Sequence, residues 1–513
     1  MARQWTLQQK NAIEARGGSV LVSAAAGSGK TAVLVERVIE RITDKENPTS
    51  VDRLLIVTFT RAAANEMRQR IAAAIDDKLR ENPADSNLIN QKMLLPSAKI
   101  CTIDSFCGSL VRENFQMLDI SPDFKNAEEG ELNLLKNEAL ELTLQEMYEE
   151  GKDDFLNLVE LLFRGRDDSF LSEMIYALYN ASISYPFPEK WIEETTEKYN
   201  SSLGITESNY GRLIFDYAQK ALMYCLELIE SVEKGCEFDE ELYGAFADAL
   251  AADKTEIERM LSFAQERKWN KLYEAASSYK AAKRKRIPAQ YKDEAFVDIL
   301  VAKRARVKKI VADHIAAYMC STEEEFCEDM AFLEPMVKEL SRAVLLFSRI
   351  FSDLKKEKGI ADFSDISHMA LSLLVKFSED KEYERTPLAL SVAESFDEIL
   401  IDEYQDTNKA QDMLFTSISR NNLFRVGDVK QSIYRFRRAM PEIFIKLKNE
   451  YELYEKDRDN YPAKIVLGNN FRSRKSVTGA VNFVFSQLMS EAVGDIEYGS
   501  EEELVFSALY DEK

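Results

Sequence analysis

Long apolar runs are missing from this 513-residue chain; nowhere do eighteen apolar residues follow one another. A membrane-spanning helix needs about that many, so none is expected. The first ten residues, Met1 to Lys10, contain no apolar signal core either. Imidazole is scarce, with only His314 and His368, and the six cysteines form no CxxC pair. Zinc and iron–sulfur centres need such clusters, so free thiols in a reducing compartment are expected instead. Together these absences predict a soluble, cytoplasmic protein. Positive charge is in deficit, with 67 Lys+Arg against 89 Asp+Glu and a net charge of −22. That excludes a dedicated nucleic-acid coat, but not a motor with a local basic groove on an acidic surface.

What is present is ample core material. Apolar residues are 45% of the chain, and its length suggests about three domains. Val20–Val22, Leu54–Val57 and Lys99–Ile103 read as buried strands. Leu34, Val38 and Ile42 form one helical stripe; Met67, Ile71, Ile75 and Leu79 form another. Strand alternating with amphipathic helix predicts a parallel α/β sheet. From about Glu128 the texture becomes helical, and no glycine occurs between Gly244 and Gly359. Strands resume at Glu398–Ile401, Phe424–Val426 and Lys464–Leu467.

Four segments carry chemistry. The first is the loop Ala24-Ala25-Ala26-Gly27-Ser28-Gly29-Lys30-Thr31 between a strand and a helix. Its glycines let backbone N–H groups approach phosphates, Lys30 reaches the β and γ oxygens, and the Thr31 hydroxyl is a Mg²⁺ ligand. Ala24 stands where the usual pattern has its first glycine. ATP and Mg²⁺ are the expected cofactors. The second segment is the apolar strand ending in Asp402-Glu403. Asp402 would hold Mg²⁺ and Glu403 would polarise the attacking water. An acidic strand end capping the next helix is the other reading.

The third segment runs from Val426 to Arg438. Gln431 follows a strand, where an amide can sense a γ-phosphate, and Tyr434 and Phe436 interleave with Arg435, Arg437 and Arg438. Aromatic faces beside guanidinium groups suit single-stranded nucleic acid. A helix with aromatics inside and arginines outside fits the residue types equally well. The fourth is Asn469–Ser473, in which Arg472 is a possible arginine finger and Phe471 a possible stacking partner for adenine, a surface turn being the other reading. Loop and acids must meet on one nucleotide although most of the chain lies between them. Whatever intervenes is therefore inserted into one ATP-binding fold. No LSGGQ-like segment is present, which argues against an ABC-type or SMC-like ATPase.

In this order the segments resemble the motifs of superfamily 1 DNA helicases of the UvrD/RecB type. Trp5–Ala12 is similar to that family's Q motif, Thr58–Ala63 to motif Ia and Cys101–Cys107 to motif Ic. Asp104, Ser23–Arg37 and Gly359–Ile366 point to the helicase–nuclease branch. The resemblance implies a RecA-like phosphate-loop fold with a large, mostly helical insert. Its domain 1A would comprise 1–125 and 346–466, the 1B-like insert 126–345, and a second RecA-like domain would begin at 467–513. Gln9 would read the adenine, Gln431 and Arg472 would couple the γ-phosphate to domain closure, and Phe59, Thr60, Arg61, Ser105, Phe106, Tyr434, Phe436 and Arg437 would touch DNA. Single- and double-stranded DNA and a second helicase–nuclease subunit of the AddB type are the implied partners.

The basic runs Lys283–Arg286 and Lys303–Arg306 offer a further guide for DNA, although such runs are usually solvated helix faces. Neither motifs V and VI nor a nuclease carboxylate–lysine cluster follows Arg472. The chain is therefore expected to be the N-terminal portion of a longer protein, binding Mg-ATP weakly and hydrolysing it poorly.

Overall fold

The computed structural model describes residues 4–118, 120–121, 123–163, 169–200, 202–291, 294–380, 382–456, 458 and 460–508. Its centre is a seven-stranded sheet built from β1 (Val20–Ala24), β2 (Leu54–Thr58), β3 (Lys99–Thr102), β4 (Glu398–Ile401), β5 (Leu423–Gly427), β6 (Glu452–Leu453) and β7 (Ala463–Leu467). The strand order is β6-β7-β1-β5-β4-β2-β3, and every pairing is parallel. The first strand therefore sits between two strands from the far end of the chain. Val22 lies beside Ile465 on one side and Val426 on the other.

Strands buried on both faces explain the continuous apolar runs. Side chains alternate between faces. Leu21, Leu55, Val57, Ile399 and Ile401 enter one core with Ile103, Phe106, Leu110 and Leu371. Val20, Val22, Leu54, Ile56, Leu400 and Val426 enter the opposite core with Val38, Met67, Ile71 and Ile75. Helices α1 (Leu7–Glu14), α2 (Lys30–Thr43), α3 (Arg61–Glu81) and α4 (Ile103–Glu113), with the helix Phe363–Leu374, supply these partners. Each starts where its local chemistry allows. Thr6 and Gln9 form a capping box on α1, Thr60 caps α3 and Thr102 caps α4.

The chain divides into two compact units. The α/β unit takes the described parts of 1–143, 174–191 and 346–513, and the helical unit takes those of 144–173 and 192–345. Residues 126–143 and 174–191 thus count with the α/β unit, as do Asn469–Asn470, paired with Val505–Phe506, and the helix Lys475–Leu488. In the helical unit, α5 (Asn209–Cys236) buries Phe215, Ala218, Leu222, Cys225, Ile229, Val232 and Cys236, a stripe at three- and four-residue spacing. It packs with α6 (Glu240–Gln265), α7 (Trp269–Ser278) and α8 (Ala295–Ile310).

The basic runs there prove partly structural. Arg304 reaches the buried Asp253 at 2.7 Å, and Asp253 also accepts the Ala282 N–H at 2.8 Å. Lys303 donates to Ser231 at 2.7 Å. Lys285 pairs with Asp248 on the surface, and the Arg306 guanidinium lies 5.6 Å from the centre of the Tyr224 ring. No helix among the described residues is long and apolar enough to cross a membrane.

One buried ion pair locks the α/β unit across its length. The Arg37 guanidinium on α2 lies 2.5 Å from Glu398 at the start of β4, both side chains almost fully buried. It also donates to the carbonyls of Ala12 at 2.7 Å and Ala15 at 2.9 Å, closing the end of α1. Its plane sits 4.1 Å from the centre of the Phe424 ring. Glu398 is shared with Arg41, whose Nε lies 3.0 Å from its other oxygen, so removing Arg37 leaves the carboxylate half-partnered out of water. R37M is expected to lose about 3 kcal/mol in urea unfolding, and R37M/E398M, which leaves Arg41 without its carboxylate, should not recover that loss.

Candidate nucleotide and DNA site

Parallel strands bring their carboxyl ends to one edge of the sheet, which is where open α/β sheets bind ligands. Here the segments after β1, β4, β5 and β7 meet around a cavity of about 620 Å³. It is lined by Ala26 to Ala32, Arg70, Glu403, Gln431, Phe471 and Arg472. Small-molecule sites commonly occupy about 300–1,000 Å³.

The loop is held from the far side by its neighbour. Ala24 ends β1, and the Ala25 N–H donates to the Leu467 carbonyl at 2.9 Å. Gly27 and Gly29 have φ of 71° and 86°, the left-handed region. A Cβ on Gly27 would lie 2.8 Å from Asn470 Nδ2 and 3.1 Å from Arg472 Cβ, so glycine also permits the close approach. Asn470 donates to the Ala26 carbonyl at 2.7 Å and accepts from the N–H groups of Arg472 at 2.9 Å and Ser473 at 2.7 Å. The Phe471 N–H donates to Gly27 at 3.0 Å. Gly29 caps α2 without any side-chain hydrogen bond. The first-turn N–H groups of Lys30 and Thr31 therefore stand at a helix start without a side-chain cap, the kind of place that favours anions. Ser28 Oγ is buried with no hydrogen-bond partner. The Gln9 amide is engaged, donating to the Ser28 carbonyl at 2.9 Å and accepting from the Thr6 N–H at 3.0 Å.

Glu403 stands opposite the loop. Its backbone φ is +52°, an uncommon value for a residue with a side chain. Lys30 Nζ is 2.9 Å from Glu403 Oε2 and 3.5 Å from Gln431 Oε1. The Gln431 amide donates to Asp428 at 2.7 Å. Gln405, almost fully buried, donates to Glu403 at 2.9 Å and to Asp406 at 3.2 Å, and accepts from the Asp428 N–H at 2.9 Å. Burial and the adjacent Glu403 charge push the Asp402 carboxyl up to about 6. Burial and the same neighbour also push Asp406 up to about 6. A bound cation would offset such crowding of acids.

The expected DNA residues fall into two groups. Thr60 and Arg61 are exposed at the start of α3, with Phe59 half-buried beside them, and Ser105 is exposed on α4. Phe106 corrects the expectation: it is 6% exposed, with its ring centroid 6.4 Å from Phe396 and 6.3 Å from Phe415. The helical phase of α4 turns it into the core while Ser105 faces out, so no base can stack on it. Tyr434 and Phe436 do not sit on a long helix. Tyr434 precedes the short turn Arg435–Arg437 and Phe436 lies within it; Phe436 is 76% exposed and Arg437 lies 5.2 Å from the Tyr434 ring centre and 5.7 Å from that of Phe436.

Three contributors were not assigned from sequence. Gln405 follows the paired acids and Asn470 lies inside the fourth segment, but only the fold brings Gln405 to the Asp428 N–H and Asn470 to the Ala26 carbonyl. Arg70 reaches the cavity from the third turn of α3 and carries no local signal.

Comparison with known proteins bears on this geometry. The chain is 39% identical over 530 residues to an ATP-dependent helicase/nuclease subunit of Clostridium acetobutylicum, covering 99% of this chain and 42% of that protein. It is 38% identical over 515 residues to the protein of that name from Ruminiclostridium cellulolyticum, covering 98% and 40%. With that of Clostridioides difficile the identity is 38% over 521 residues, covering 99% and 40%. The chain thus spans about two fifths of the length of the curated relatives it matches. Residues 5–452 match the family model for the UvrD/REP helicase N-terminal domain. That span takes in the phosphate loop, the paired acids and the glutamine between them and the aromatic turn, and the chain belongs to the UvrD/REP helicase family.

Proposed function

We propose that this chain is the ATP-hydrolysing motor portion of a DNA helicase, moving along single-stranded DNA as part of a helicase–nuclease that acts in double-strand break repair and recombination. The observation that carries the reading is the Lys30–Glu403 contact of 2.9 Å inside a cavity walled by the glycine loop, Gln431 and Arg472. A phosphate-binding cation, a carboxylate, an amide sensor and a guanidinium converge where a triphosphate fits.

The division of labour follows from chemistry. The Lys30 ammonium and the N–H groups at the start of α2 bind phosphate oxygens. Thr31 and Asp402 are the oxygen ligands on offer to Mg²⁺, which when bound neutralises phosphate charge. With Lys30 drawn onto phosphate, the Glu403 carboxylate is freed to orient and deprotonate water. Gln431 and Arg472 sense the γ-phosphate from two sides, and an arginine in that role supplies about 10³–10⁵ in rate. Gln9 sits behind the loop, and Phe471 offers a ring to the base. Movement of the Gln431 segment is transmitted along the chain to Tyr434 and Phe436, which together with Phe59, Thr60, Arg61, Ser105 and Arg437 contact the strand. The protein works in the cytoplasm with single- and double-stranded DNA and a second helicase–nuclease subunit.

ATP hydrolysis measured with and without single-stranded DNA tests the reading; hydrolysis indifferent to DNA would sink the motor and leave a bare ATPase. K30A is expected to abolish nucleotide binding, and unchanged affinity for a fluorescent ATP analogue would refute the loop assignment. E403Q should retain nucleotide binding yet lose at least about a hundredfold in hydrolysis rate, the scale of removing a general base. F436A should weaken single-stranded DNA binding by about 1–3 kcal/mol in fluorescence anisotropy, the worth of one stacked base, without changing ATP affinity.

A further inference from the structure

Gln405 occupies a position that none of the chemistry above requires, yet every polar atom of its side chain is used. It lies in the short turn Tyr404–Asp406 and is 1% exposed. A primary amide has two N–H donors and one carbonyl acceptor group. Both donors go to carboxylates, Glu403 Oε2 at 2.9 Å and Asp406 Oδ2 at 3.2 Å. The carbonyl accepts the Asp428 N–H at 2.9 Å. A Cβ on Gly427 would stand 2.4 Å from that carbonyl oxygen, so the strand end is kept bare to let the amide in. An amide saturated on three sides and walled by backbone has one orientation open to it.

We infer that Gln405 is a positioning residue for Glu403, holding its carboxylate in place through the catalytic cycle. The inference rests on the reading of Glu403 as the group that activates water. Glu403 Oε2 has two donors, Lys30 Nζ and Gln405 Nε2, both at 2.9 Å. Lys30 is the phosphate ligand, so nucleotide draws its ammonium away from Glu403. Gln405 is then the donor that remains, and it anchors Oε2 while Oε1 faces the reacting water. The same amide grips the Asp428 backbone, and the Asp428 carboxylate holds the Gln431 amide at 2.7 Å. A single buried side chain therefore sets the spacing between the water-activating acid and the γ-phosphate sensor. Neutrality matters as well. A carboxylate at 405 would add a third negative charge beside Glu403 and Asp406.

Two substitutions separate the roles of the amide. Q405E keeps the volume and an acceptor for the Asp428 N–H, but exchanges the amide donors for a third acid beside Glu403 and Asp406. Q405M loses donors and acceptor together. Hydrolysis is followed under single-turnover conditions with the chain in excess of radiolabelled ATP and single-stranded DNA present, so that slow rates are measurable. The expected result for Q405E is a maximal rate lowered at least about tenfold, the effect of one lost charge-assisted hydrogen bond. Its half-saturating concentration and ADP affinity should stay within about twofold of the unsubstituted chain. Q405M should be slowed at least as much, and should it fail to fold, Q405E alone carries the test. G427A, which pushes the amide off its site without altering it, should show the same split. A Q405E rate within about twofold of the unsubstituted chain overturns the inference, as does a fall in ADP affinity that matches the fall in rate. E403Q, measured alongside, keeps the two claims apart. If E403Q still hydrolyses ATP, the reading of Glu403 fails. If E403Q is inactive and Q405E is not, only the positioning role fails. An unsubstituted chain without any hydrolysis overturns the site reading and the inference with it.

Discussion

The placement of β1 between β7 and β5 is the constraint on which everything else depends. Five residues, Val20–Ala24, pair in parallel with Ala463–Leu467, and four of them pair with Phe424–Gly427. Parallel neighbours need long crossovers, and here the crossovers contain nearly the whole chain. Because the pairing is parallel, the loop after β1 emerges beside the segments that follow β5, β4 and β7. The contact between Lys30 and Glu403 is a consequence of that register. Slipping β1 by one residue would turn Leu21 and Val22 to the wrong cores and carry the glycine loop away from its acids.

Polar tethers refine what the sheet sets up. Arg37 fastens the end of α1 to Glu398, so the segment that bears Gln9 and the strand that ends in Asp402 share one buried ion pair. Asn470 ties the carbonyl of Ala26 to the turn that bears Arg472. Gln405 ties Glu403 to Asp428 and hence to Gln431. Each joins two segments that the sheet has brought together, and the Arg37–Glu398 pair is shielded from water, where ion pairs gain strength from the lower dielectric. Glu403, the carboxylate that these tethers reach, also carries a left-handed φ.

Much of this was legible one segment at a time. The apolar runs at Leu54–Val57, Glu398–Ile401 and Lys464–Leu467 read directly as strands because parallel strands are buried on both faces. The stripe Met67–Ile71–Ile75 gave away the buried side of α3. Phe106 was misread because its motif neighbours suggested a DNA face, whereas the 100° step from Ser105 rotates it inward. The aromatic turn at Tyr434–Arg437 was undecided from residue types, since tyrosine and phenylalanine serve a core as readily as a stack. Its exposure is a property of the surrounding surface.

By itself the sequence determined local chemistry: which residues bend, cap, carry charge or repeat at helical spacing. The glycines of the loop, the acids at a strand end and the interleaved aromatics and arginines are of that kind, because each depends on residues within a few positions. Tertiary structure alone decided which of these segments meet. Gln405 on the Asp428 N–H, Asn470 on the loop and Arg37 under Phe424 are contacts between residues far apart in the chain. Burial gives them their strength, and burial is a property of the packed molecule rather than of any segment of it.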